Sequence, residues 1–363
     1  MLRWEKNAKI VVAGCRGLVG SAIVRKLRER GHNNIITITE TKAELDLRRQ
    51  DEVERFFERE RPEYVFLAAA KVDGILAKSA YPEEFIYDNL AVAINVIYAS
   101  YKFRVKELLN IGSSCIYPKH APQPMKEEYL LTGSLEPTKE AYAVASAIKF
   151  VRYYNQQYGT NFISFMPTNL YGPNDNFNLE TSRVLPALIR KFHLAKLLED
   201  GNIDAIKEDF KKYPIGFGLD GKVSFDNENS IIEALHILGI KREGKDVYVE
   251  IWGSGEVYRE FLYVDDLADA CVYLMENVDA EEMSKLCPDY FVNIGIGVDM
   301  KIKDLAVMVK EIVGFKGEIR YDLTKPDGTS RKLLDISKIK QLGWEPKIEL
   351  REGVEQVYEC YVG

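Results

Sequence analysis

The sequence predicts an α/β fold in which a doubly wound parallel sheet is followed by a smaller C-terminal α/β domain. Short runs of apolar and β-branched residues alternate with helical patterns through the first half, as is typical of parallel sheets covered by helices on both faces. A glycine cluster follows the first apolar run. The alternation becomes irregular near Tyr171, so we expect two domains, at residues 1–170 and 171–363.

The elements of the first domain can be placed in order from residue type. Gly31 and Gly159 suit helix ends, and Pro62 disfavours helix continuation at the residue before it. The predicted strands span residues 9–13, 35–39, 64–68, 106–111 and 162–166. The predicted helices run from the glycine cluster to Arg30 and over residues 50–61, 85–103 and 141–158.

The second domain has a less regular pattern. Residues 199–249 are polar and contain several glycine and proline turn signals, and we interpret them as an inserted subdomain or a lid. Residues near 260–275 are expected to return to the first domain.

Length and composition exclude several classes of function. The 363 residues, 46% of them hydrophobic, suffice for a sizeable core, and a net charge of −7 argues against a nucleic-acid partner. No apolar run approaches the roughly 20 residues that span a bilayer, so no membrane partner is expected. The five cysteines form no C-x-x-C pair. We therefore expect no metal site and a cytoplasmic location, where thiols stay reduced.

The glycine cluster has the G-x-x-G-x-x-G spacing of a dinucleotide-binding turn. Glycine allows a tight turn and a close approach of the backbone to a pyrophosphate, which then meets the N-terminus of the following helix. The position of the cluster, at the first strand–helix junction, makes the motif specific. We therefore expect a Rossmann-type site for a nicotinamide cofactor. The residues assigned to it are Gly14, Cys15, Arg16, Gly17, Leu18, Val19 and Gly20.

Residues around the second strand bear on the choice between NADP and NAD. Arg16 and Lys42 provide two cations for a 2′-phosphate, which favours NADP, supplied as NADPH. Glu40 is an acid of the kind that holds free ribose hydroxyls, and it keeps NAD open. Asp46 and Leu47 are predicted to flank the adenine, and Asp46 equally suits a helix cap.

Seven further segments share one resemblance. They carry the sequences IGSSCIYP, EAYAVA, MPTNLYGP, LPALIRKFH, WGSG, REFLYVDD and KPDGT, at residues 111–118, 140–145, 166–173, 185–193, 252–255, 259–266 and 325–329. Together they resemble the GDP-L-fucose synthase family of extended short-chain dehydrogenases/reductases, which are GDP-4-keto-6-deoxy-D-mannose 3,5-epimerase-4-reductases. The resemblance covers nearly the whole chain except the stretch near 199–249.

The resemblance implies a thiol and an imidazole that work as a pair. A 4-keto sugar has acidic protons at C3 and C5, and inverting these centres needs a base on one face and an acid on the other. Cys115 and His193 are the implied pair. Ser113 and Tyr142 are the implied hydrogen-bond donors to the C4 oxygen, and Tyr142 would protonate the alkoxide left by hydride transfer.

The resemblance also implies binding residues and partners. The implied substrate is GDP-4-keto-6-deoxy-D-mannose, and its implied contacts are Trp252, Arg259, Lys325 and Asp327. The implied cofactor contacts beyond the glycine cluster are Ala68, Ala69, Ala70, Ile111, Gly112, Ser113, Ser114, Pro167, Thr168, Asn169, Leu170 and His193. A homodimer is implied, held by a four-helix bundle that uses the helix at 85–103 and the helix after Tyr142.

The sequence departs from the family at the Tyr-x-x-x-Lys motif. Ser146 stands where the lysine that follows Tyr142 belongs, as if two residues were lost after Ala145. Two helical residues correspond to about 200° of rotation, so either the helix holds a local bulge or its downstream packing has changed. Lys149 lies about 10 Å further along the axis, a poor position for replacing the lysine. We therefore hypothesise that epimerisation outlasts reduction in this chain.

Two other functions stay open. Glu40 is compatible with a nucleotide-sugar 4-epimerase or 4,6-dehydratase that retains NAD, although a dehydratase would need an acidic pair near Ser113, where the sequence has none. The missing lysine is compatible with a non-catalytic nucleotide-binding homologue.

Overall fold

A computed structural model describes residues 4–38, 45–70, 82–137, 147–325 and 327–363 of the chain. The strands there are β1 (Ile10–Ala13), β2 (Ile35–Ile38), β3 (Tyr64–Leu67), β4 (Glu107–Ile111), β5 (Phe162–Pro167), β6 (Asn169–Tyr171), β7 (Ile240–Glu243), β8 (Asp246–Trp252), β9 (Tyr258–Arg259), β10 (Phe261–Tyr263), β11 (Phe291–Ile294), β12 (Met300–Lys301), β13 (Glu318–Asp322) and β14 (Arg331–Lys332). The α-helices are α1 (Leu18–Glu29), α2 (Gln50–Glu60), α3 (Pro82–Lys102), α4 (Ile148–Tyr158), α5 (Val184–Glu199), α6 (Ile203–Lys212), α7 (Glu228–Ile237), α8 (Val264–Asn277), α9 (Ala280–Leu286), α10 (Ile302–Val313), α11 (Ser337–Gln341) and α12 (Leu350–Val362).

Six strands form the central sheet, in the order β11-β5-β4-β3-β1-β2, and every neighbouring pair is parallel. Strands β1 and β3 are buried along their whole length, which explains why they read as continuous apolar runs rather than as an alternation. The parallel sheet confirms the predicted α/β fold.

Helices cover both faces of this sheet. Ile10 and Val12 of β1 pack into a core that includes Leu27 of α1, whereas Val11 packs into a core on the other face with Phe57 of α2. Because side chains alternate between the faces of a strand, the all-apolar β1 serves both cores. The sheet is therefore doubly wound, as the alternating sequence pattern predicts.

The strand order reverses at β1, since β2 lies on one side of it and β3, β4 and β5 follow on the other. In open α/β sheets, ligands bind in the crevice beyond the carboxyl ends of the strands near such a reversal. The glycine cluster, the residues after Ile111 and the residues after Pro167 all follow the carboxyl ends of sheet strands. The topology therefore gathers the predicted site segments at one edge of the sheet.

A second core lies around α5, which packs against α10 and against β8 of the three-stranded sheet β13-β8-β7. The segment 199–249 contributes to this core rather than standing apart from it. Ile206 and Phe210 of α6, Ile231 and Leu235 of α7 and Val249 of β8 are all buried there. The domain boundaries themselves stay a prediction, but the polar surface of this segment conceals an ordinary buried face.

The chain then returns to the first core through α8. This helix packs along α1, and Arg30 at the end of α1 binds both Asp269, at 2.7 Å, and Glu276. Strand β11 then adds to the outer edge of the central sheet beside β5. Among the described helices, none is both long and apolar enough to cross a membrane.

One predicted helix is interrupted at Ala147. The sequence predicts a helix over residues 141–158, but α4 begins at Ile148 and is preceded by Ala147 in the left-handed region, at φ 52° and ψ 21°. A residue with that conformation cannot continue a right-handed helix. Residues 138–146, which include Tyr142 and Ser146, lie outside the described residues.

Candidate active site

The turn after β1 requires glycine at two positions. Gly14 has φ 83°, and a Cβ atom there would lie 2.7 Å from the carbonyl oxygen of Ala68. A Cβ atom at Gly20 would lie 2.1 Å from the carbonyl oxygen of Gly14. At Gly17 a Cβ atom would meet nothing closer than 3.5 Å. The turn, the first helix and the end of β3 are therefore packed backbone against backbone, with no room for side chains at Gly14 and Gly20.

The N-terminus of α1 opens from this turn. Gly17 precedes the helix, no side chain caps it and its first turn carries no acid. Arg16 is exposed, and Cys15 and Val19 are half-buried beside it. Uncapped backbone N–H groups and the positive end of the helix dipole attract phosphate. The turn and helix therefore fit the pyrophosphate of a dinucleotide cofactor.

The two residues predicted to flank the adenine, Asp46 and Leu47, interact with other residues of the protein. Asp46 accepts hydrogen bonds from the Arg48 side chain at 2.9 and 2.8 Å, and its Oδ1 also accepts from the Arg48 backbone N–H at 3.1 Å. Leu47 is buried. Asp46 thus pairs with Arg48, and the helix cap that the sequence left open for it is wrong, because α2 begins after Arg49 with no side-chain cap. Glu40 and Lys42, on which the choice of cofactor was based, lie outside the described residues.

The ends of β3 and β5 form the rest of the predicted cofactor wall. Of these residues, Ala69, Pro167, Thr168 and Leu170 are buried, and Ala68, Ala70 and Asn169 are half-buried. The amide of Asn169 donates to the backbone carbonyl of Glu260 at 2.8 Å, and the Thr168 hydroxyl donates to the same oxygen at 3.3 Å. This shared carbonyl ties the end of β5 to the junction between β9 and β10.

The segment after β4 presents Cys115. The N–H of Cys115 donates to the Ser113 hydroxyl oxygen at 3.2 Å, which caps a short 3-10 helix at Ser114–Ile116. A Cβ atom at Gly112 would lie 2.3 Å from Cε of Met166, so this turn also packs tightly against β5. Ile111 and Ser113 are half-buried, whereas Ser114 is buried. Ser113 therefore acts as a cap here and lies two residues from the thiol.

Cys115 and Asn169 line one end of a cavity of about 400 Å³. A volume of this size suits a small-molecule ligand. In the part of the chain that the structure describes, four cationic side chains line the cavity together with the acids Glu180 and Asp327. The cations are Arg183, Lys191, Arg259 and Lys332. An excess of cations over acids, in a cleft beside the cofactor edge of the sheet, suits an anionic ligand such as a nucleoside diphosphate.

The predicted substrate contacts are brought to this cavity. Trp252, Arg259 and Asp327 line it, and the ammonium group of Lys325 lies 5.2 Å from the centre of the Trp252 ring. Asp327 accepts from the N–H and the hydroxyl of Ser254, at 2.9 and 2.7 Å, so it fixes the loop after β8. Burial lowers the pKa of the Arg259 guanidinium. A cation that burial disfavours in this way gains from a bound anion.

Sequence reasoning missed three of the cations. Arg183 immediately precedes α5, Lys191 lies within α5, and Lys332 lies on β14. Burial lowers the pKa of Lys191 to about 8, and its ammonium group donates to the carbonyl of Glu250 at 3.1 Å. A signal was present, because Lys191 lies within the segment that supplied His193 and Lys332 closely follows the KPDGT segment.

Arg183 has a buried partner behind the cavity wall. Its guanidinium lies 3.5 Å from Oδ1 of Asp175, whose side chain is only 2% exposed. Burial raises the pKa of Asp175. Its Oδ2 atom has no hydrogen-bond partner among the described residues. The acid therefore restrains Arg183 without the full pairing that a buried carboxylate usually has.

The structure does not bring His193 to Cys115, so the predicted thiol–imidazole pair is wrong. Nδ1 of His193 lies 3.1 Å from the hydroxyl of Tyr358, and the imidazole packs edge-on against Tyr358 and Tyr361 of α12. The ring does not line the cavity, although Lys191 does. Two residues along a helix correspond to about 200° of rotation, which turns His193 to the opposite side of α5. Burial also lowers the pKa of His193.

Lys149 is engaged away from the cavity. Its ammonium group lies 2.6 Å from Oδ1 of Asp289, which also accepts from Arg152 at 2.9 Å. Lys149 therefore has a structural partner of its own, and nothing in the described residues supports it as a replacement for the missing lysine of the tyrosine motif.

Comparison with known proteins gives a consistent family assignment. The model of the NAD dependent epimerase/dehydratase family matches residues 10–208 and 221–295. GDP-L-fucose synthase 1 of Arabidopsis thaliana is 49% identical over 360 residues, which are 99% of this chain and 94% of that protein. GDP-L-fucose synthase of Escherichia coli K12 is 41% identical over 357 residues, or 98% of this chain and 96% of that protein.

Solved structures give the same fold. A GDP-6-OMe-4-keto-L-xylo-heptose reductase from Campylobacter jejuni superposes with a TM-score of 0.89 at 44% identity, over 99% of both chains. MlghC, a GDP-mannoheptose C4 reductase from C. jejuni with NADP bound, gives 0.85 at 43% identity, over 99% of this chain and 100% of that one. The chain therefore belongs to the NAD-dependent epimerase/dehydratase family and, within it, to the group of GDP-L-fucose synthases, as its sequence motifs predict.

Proposed function

We propose that this chain catalyses the NADPH-dependent synthesis of GDP-L-fucose from GDP-4-keto-6-deoxy-D-mannose, by epimerisation at C3 and C5 and reduction at C4. The family assignment supports the reaction, and NADP is the cofactor seen in MlghC at 43% identity. One observation carries the proposal. Cys115, placed by the end of β4, and Asn169, beside the end of β5, line the same cavity as Arg183, Arg259 and Lys332. A reacting centre at the cofactor edge and an anion-binding wall thus share one cleft.

The epimerisation is assigned to Cys115 as the base. Its thiolate would take a proton from C3 or C5, so that the C–H bond breaks, an S–H bond forms and the electron pair moves onto the C4 oxygen. Ser113 and Tyr142 are proposed as hydrogen-bond donors to that oxygen. Because His193 faces α12, the return of a proton to the opposite face is not assigned to it.

The reduction depends on the cofactor edge of the sheet. Bound NADPH supplies the hydride that reduces C4. The turn at Gly14–Gly20 and the N-terminus of α1 are proposed to hold its pyrophosphate, and Pro167–Leu170 to form the wall near the nicotinamide. Tyr142 is proposed to protonate the C4 oxygen, without the lysine that would lower its pKa, because Ser146 stands in that position. Reduction is therefore proposed to be the slower half of the reaction.

The experiment that tests the proposal follows both halves together. Protein is incubated with the keto sugar nucleotide and NADPH in deuterated water, and mass spectrometry counts deuterium in the sugar while absorbance follows NADPH oxidation. We expect deuterium at C3 and C5 to appear faster than NADPH disappears, and GDP-L-fucose to accumulate. A chain that reduces at least as fast as it exchanges would contradict the weakened reduction. A chain that yields no product would support a non-catalytic homologue.

A second candidate substrate is a GDP-linked 4-keto heptose. One C. jejuni relative, 44% identical over 99% of this chain, is named as a reductase of such a sugar, and MlghC, at 43% identity, is named as a GDP-mannoheptose C4 reductase. These identities are close to the 41% of the E. coli fucose synthase. A competition assay with both sugar nucleotides at equal concentration separates the two. If the chain prefers the heptose, the proposed C4 reduction stands but the proposed sugar substrate is wrong.

We also propose a homodimer built on α3 and α4, and a cytoplasmic location. Tyr87 and Ile94 of α3 and Tyr153 and Tyr158 of α4 are exposed, and Tyr158 stacks on Tyr101 at a ring distance of 4.3 Å. Exposed aromatic residues on adjacent helices suit a second copy of the chain. The cytoplasmic location is supported by the five cysteines, all of which lie in the described residues and none of which forms a disulfide.

A further inference from the structure

The Cys115 sulfur lies beside an ammonium group from a distant part of the chain. Nζ of Lys332 is 3.6 Å from Sγ, a hydrogen-bonding distance for sulfur, and the two residues are separated by 217 positions. A cation at this distance favours the thiolate over the neutral thiol, because it stabilises the negative charge.

The backbone holds Lys332 in place from both sides. On β14 it pairs with Arg259 of β9. The next residue, Leu333, donates its N–H to Gln123 at 2.8 Å, and its carbonyl accepts from the N–H of Met125 at 2.8 Å. These bonds tie the strand of Lys332 to the loop that follows Cys115.

The buried carboxylate of Glu260 holds Leu334, the second residue after Lys332. Glu260 is fully buried and accepts the N–H of Leu334 at 3.0 Å, as well as the N–H groups of Ile296 and Gly297 at 2.7 Å. Its backbone carbonyl also holds Asn169, on the cofactor side of the cavity. Lys332 is therefore placed by a rigid frame rather than by a mobile loop.

Among the described residues, the cavity is lined by more cations than acids. The charged side chains that share the cavity with Cys115 are Glu180, Arg183, Lys191, Arg259, Asp327 and Lys332. Both acids are occupied by hydrogen-bond donors of the protein, Glu180 by the N–H of Phe217 and Asp327 by Ser254. All four histidines of the chain, at positions 32, 120, 193 and 236, lie in the described residues, and none of them lines the cavity.

We propose that Lys332 is a positioning residue that holds Cys115 in its thiolate form, in place of an imidazole partner. The use of that thiolate as a base for the sugar protons rests on the proposed function. The charge state of Cys115 can nevertheless be measured without any sugar.

The experiment is a pH profile of alkylation by iodoacetamide, resolved by peptide mass spectrometry. Lys332→Met should slow alkylation of Cys115 at neutral pH by about tenfold and move its profile to higher pH by about one unit. Lys332→Arg, which keeps the charge, should restore the wild-type profile. Exposed Cys360 serves as the internal reference in every sample.

Arg331→Met is the matched control, because Arg331 is the neighbouring cation on β14 but binds Asp299 at 2.6 Å instead of facing the thiol. This variant should leave the Cys115 profile unchanged. An unshifted profile in Lys332→Met, or the same shift in Arg331→Met, would overturn the proposal. Exchange of sugar protons is then measured separately. A profile that shifts in Lys332→Met, together with absent exchange in the wild-type chain, would overturn the proposed function but leave the role of Lys332 intact.

Discussion

The glycine turn after β1 and the cavity beside Cys115 are built in different ways. The turn lies within one short stretch between β1 and α1, and its close contacts at Gly14 and Gly20 are made by backbone atoms. The cavity brings together side chains such as Cys115 and Lys332, which are 217 positions apart. The turn depends on the absence of a side chain at two glycine positions. The cavity depends instead on how separate helices and strands pack against one another. Substitutions in the glycine turn should therefore change stability and cofactor affinity, whereas substitutions in the cavity should change the reaction of the sugar.

The largest effect is expected at the thiol. Cys115→Ser should slow deuterium exchange at C3 and C5 by about 10²–10⁴-fold, because an alcohol is a far weaker proton acceptor than a thiolate at neutral pH. NADPH affinity, measured by fluorescence titration, should stay unchanged, since the cofactor turn is separate. Exchange at the wild-type rate in this variant would remove Cys115 from the mechanism.

The next effect is expected at the cofactor turn. Gly20→Ala should lower the free energy of unfolding by about 1–3 kcal/mol, because its Cβ atom would lie 2.1 Å from the carbonyl oxygen of Gly14. Gly17→Ala is the matched control, with its nearest contact at 3.5 Å, and should keep wild-type stability in thermal denaturation. If Gly17→Ala loses NADPH affinity but not stability, the pyrophosphate binds close to the backbone at Gly17. Equal destabilisation by both variants would contradict the predicted difference between the two positions.

A smaller effect is expected from the pH dependence of Lys191. Its pKa of about 8 means that the ammonium form is lost as pH rises through that value, so KM for the sugar nucleotide should rise about tenfold. Stability should move the other way. Between about 8 and the ordinary 10.5 the unfolded chain holds a proton that the folded one has released, so raising the pH favours folding. Both trends should disappear in Lys191→Met, and their persistence there would assign them to another group.

The smallest effect is expected at His193. His193→Asn should leave exchange at C3 and C5 within about twofold of wild type, because the imidazole contacts Tyr358 rather than the cavity. Loss of the contact should instead appear in unfolding, at about 1 kcal/mol. A severe loss of exchange with unchanged stability would return His193 to the catalytic pair.

Much of the fold was predictable because its signals are local. The apolar run of β1, the glycines after it and the alternation of later strands and helices follow from residue type, and the strand ends then locate Cys115 at the ligand edge of the sheet. The polar stretch 199–249 was misleading. Its exposed residues dominate the composition, while Ile206, Ile231 and Leu235 bury an apolar face at helical spacing.

The site was predictable only in part, and His193 shows why. A motif places a residue within a segment, but the packing of α5 decides which side chain of that segment faces the cavity. Lys191 faces it and His193 faces α12, although both belong to the same segment at residues 185–193. Arg183 and Lys332 were missed because both lie just outside the segments that carry the resemblance, Arg183 before residue 185 and Lys332 after residue 329.

By itself the sequence determined the doubly wound sheet, the glycine turn and the position of a thiol at a strand end, because hydrophobic period and glycine geometry act over a few residues. Only the tertiary structure decided that Lys332 would meet Cys115 and that His193 would not. Those distances depend on the pairing of β14 with β9 and on the rotation of α5, which are fixed by contacts between residues far apart in the chain.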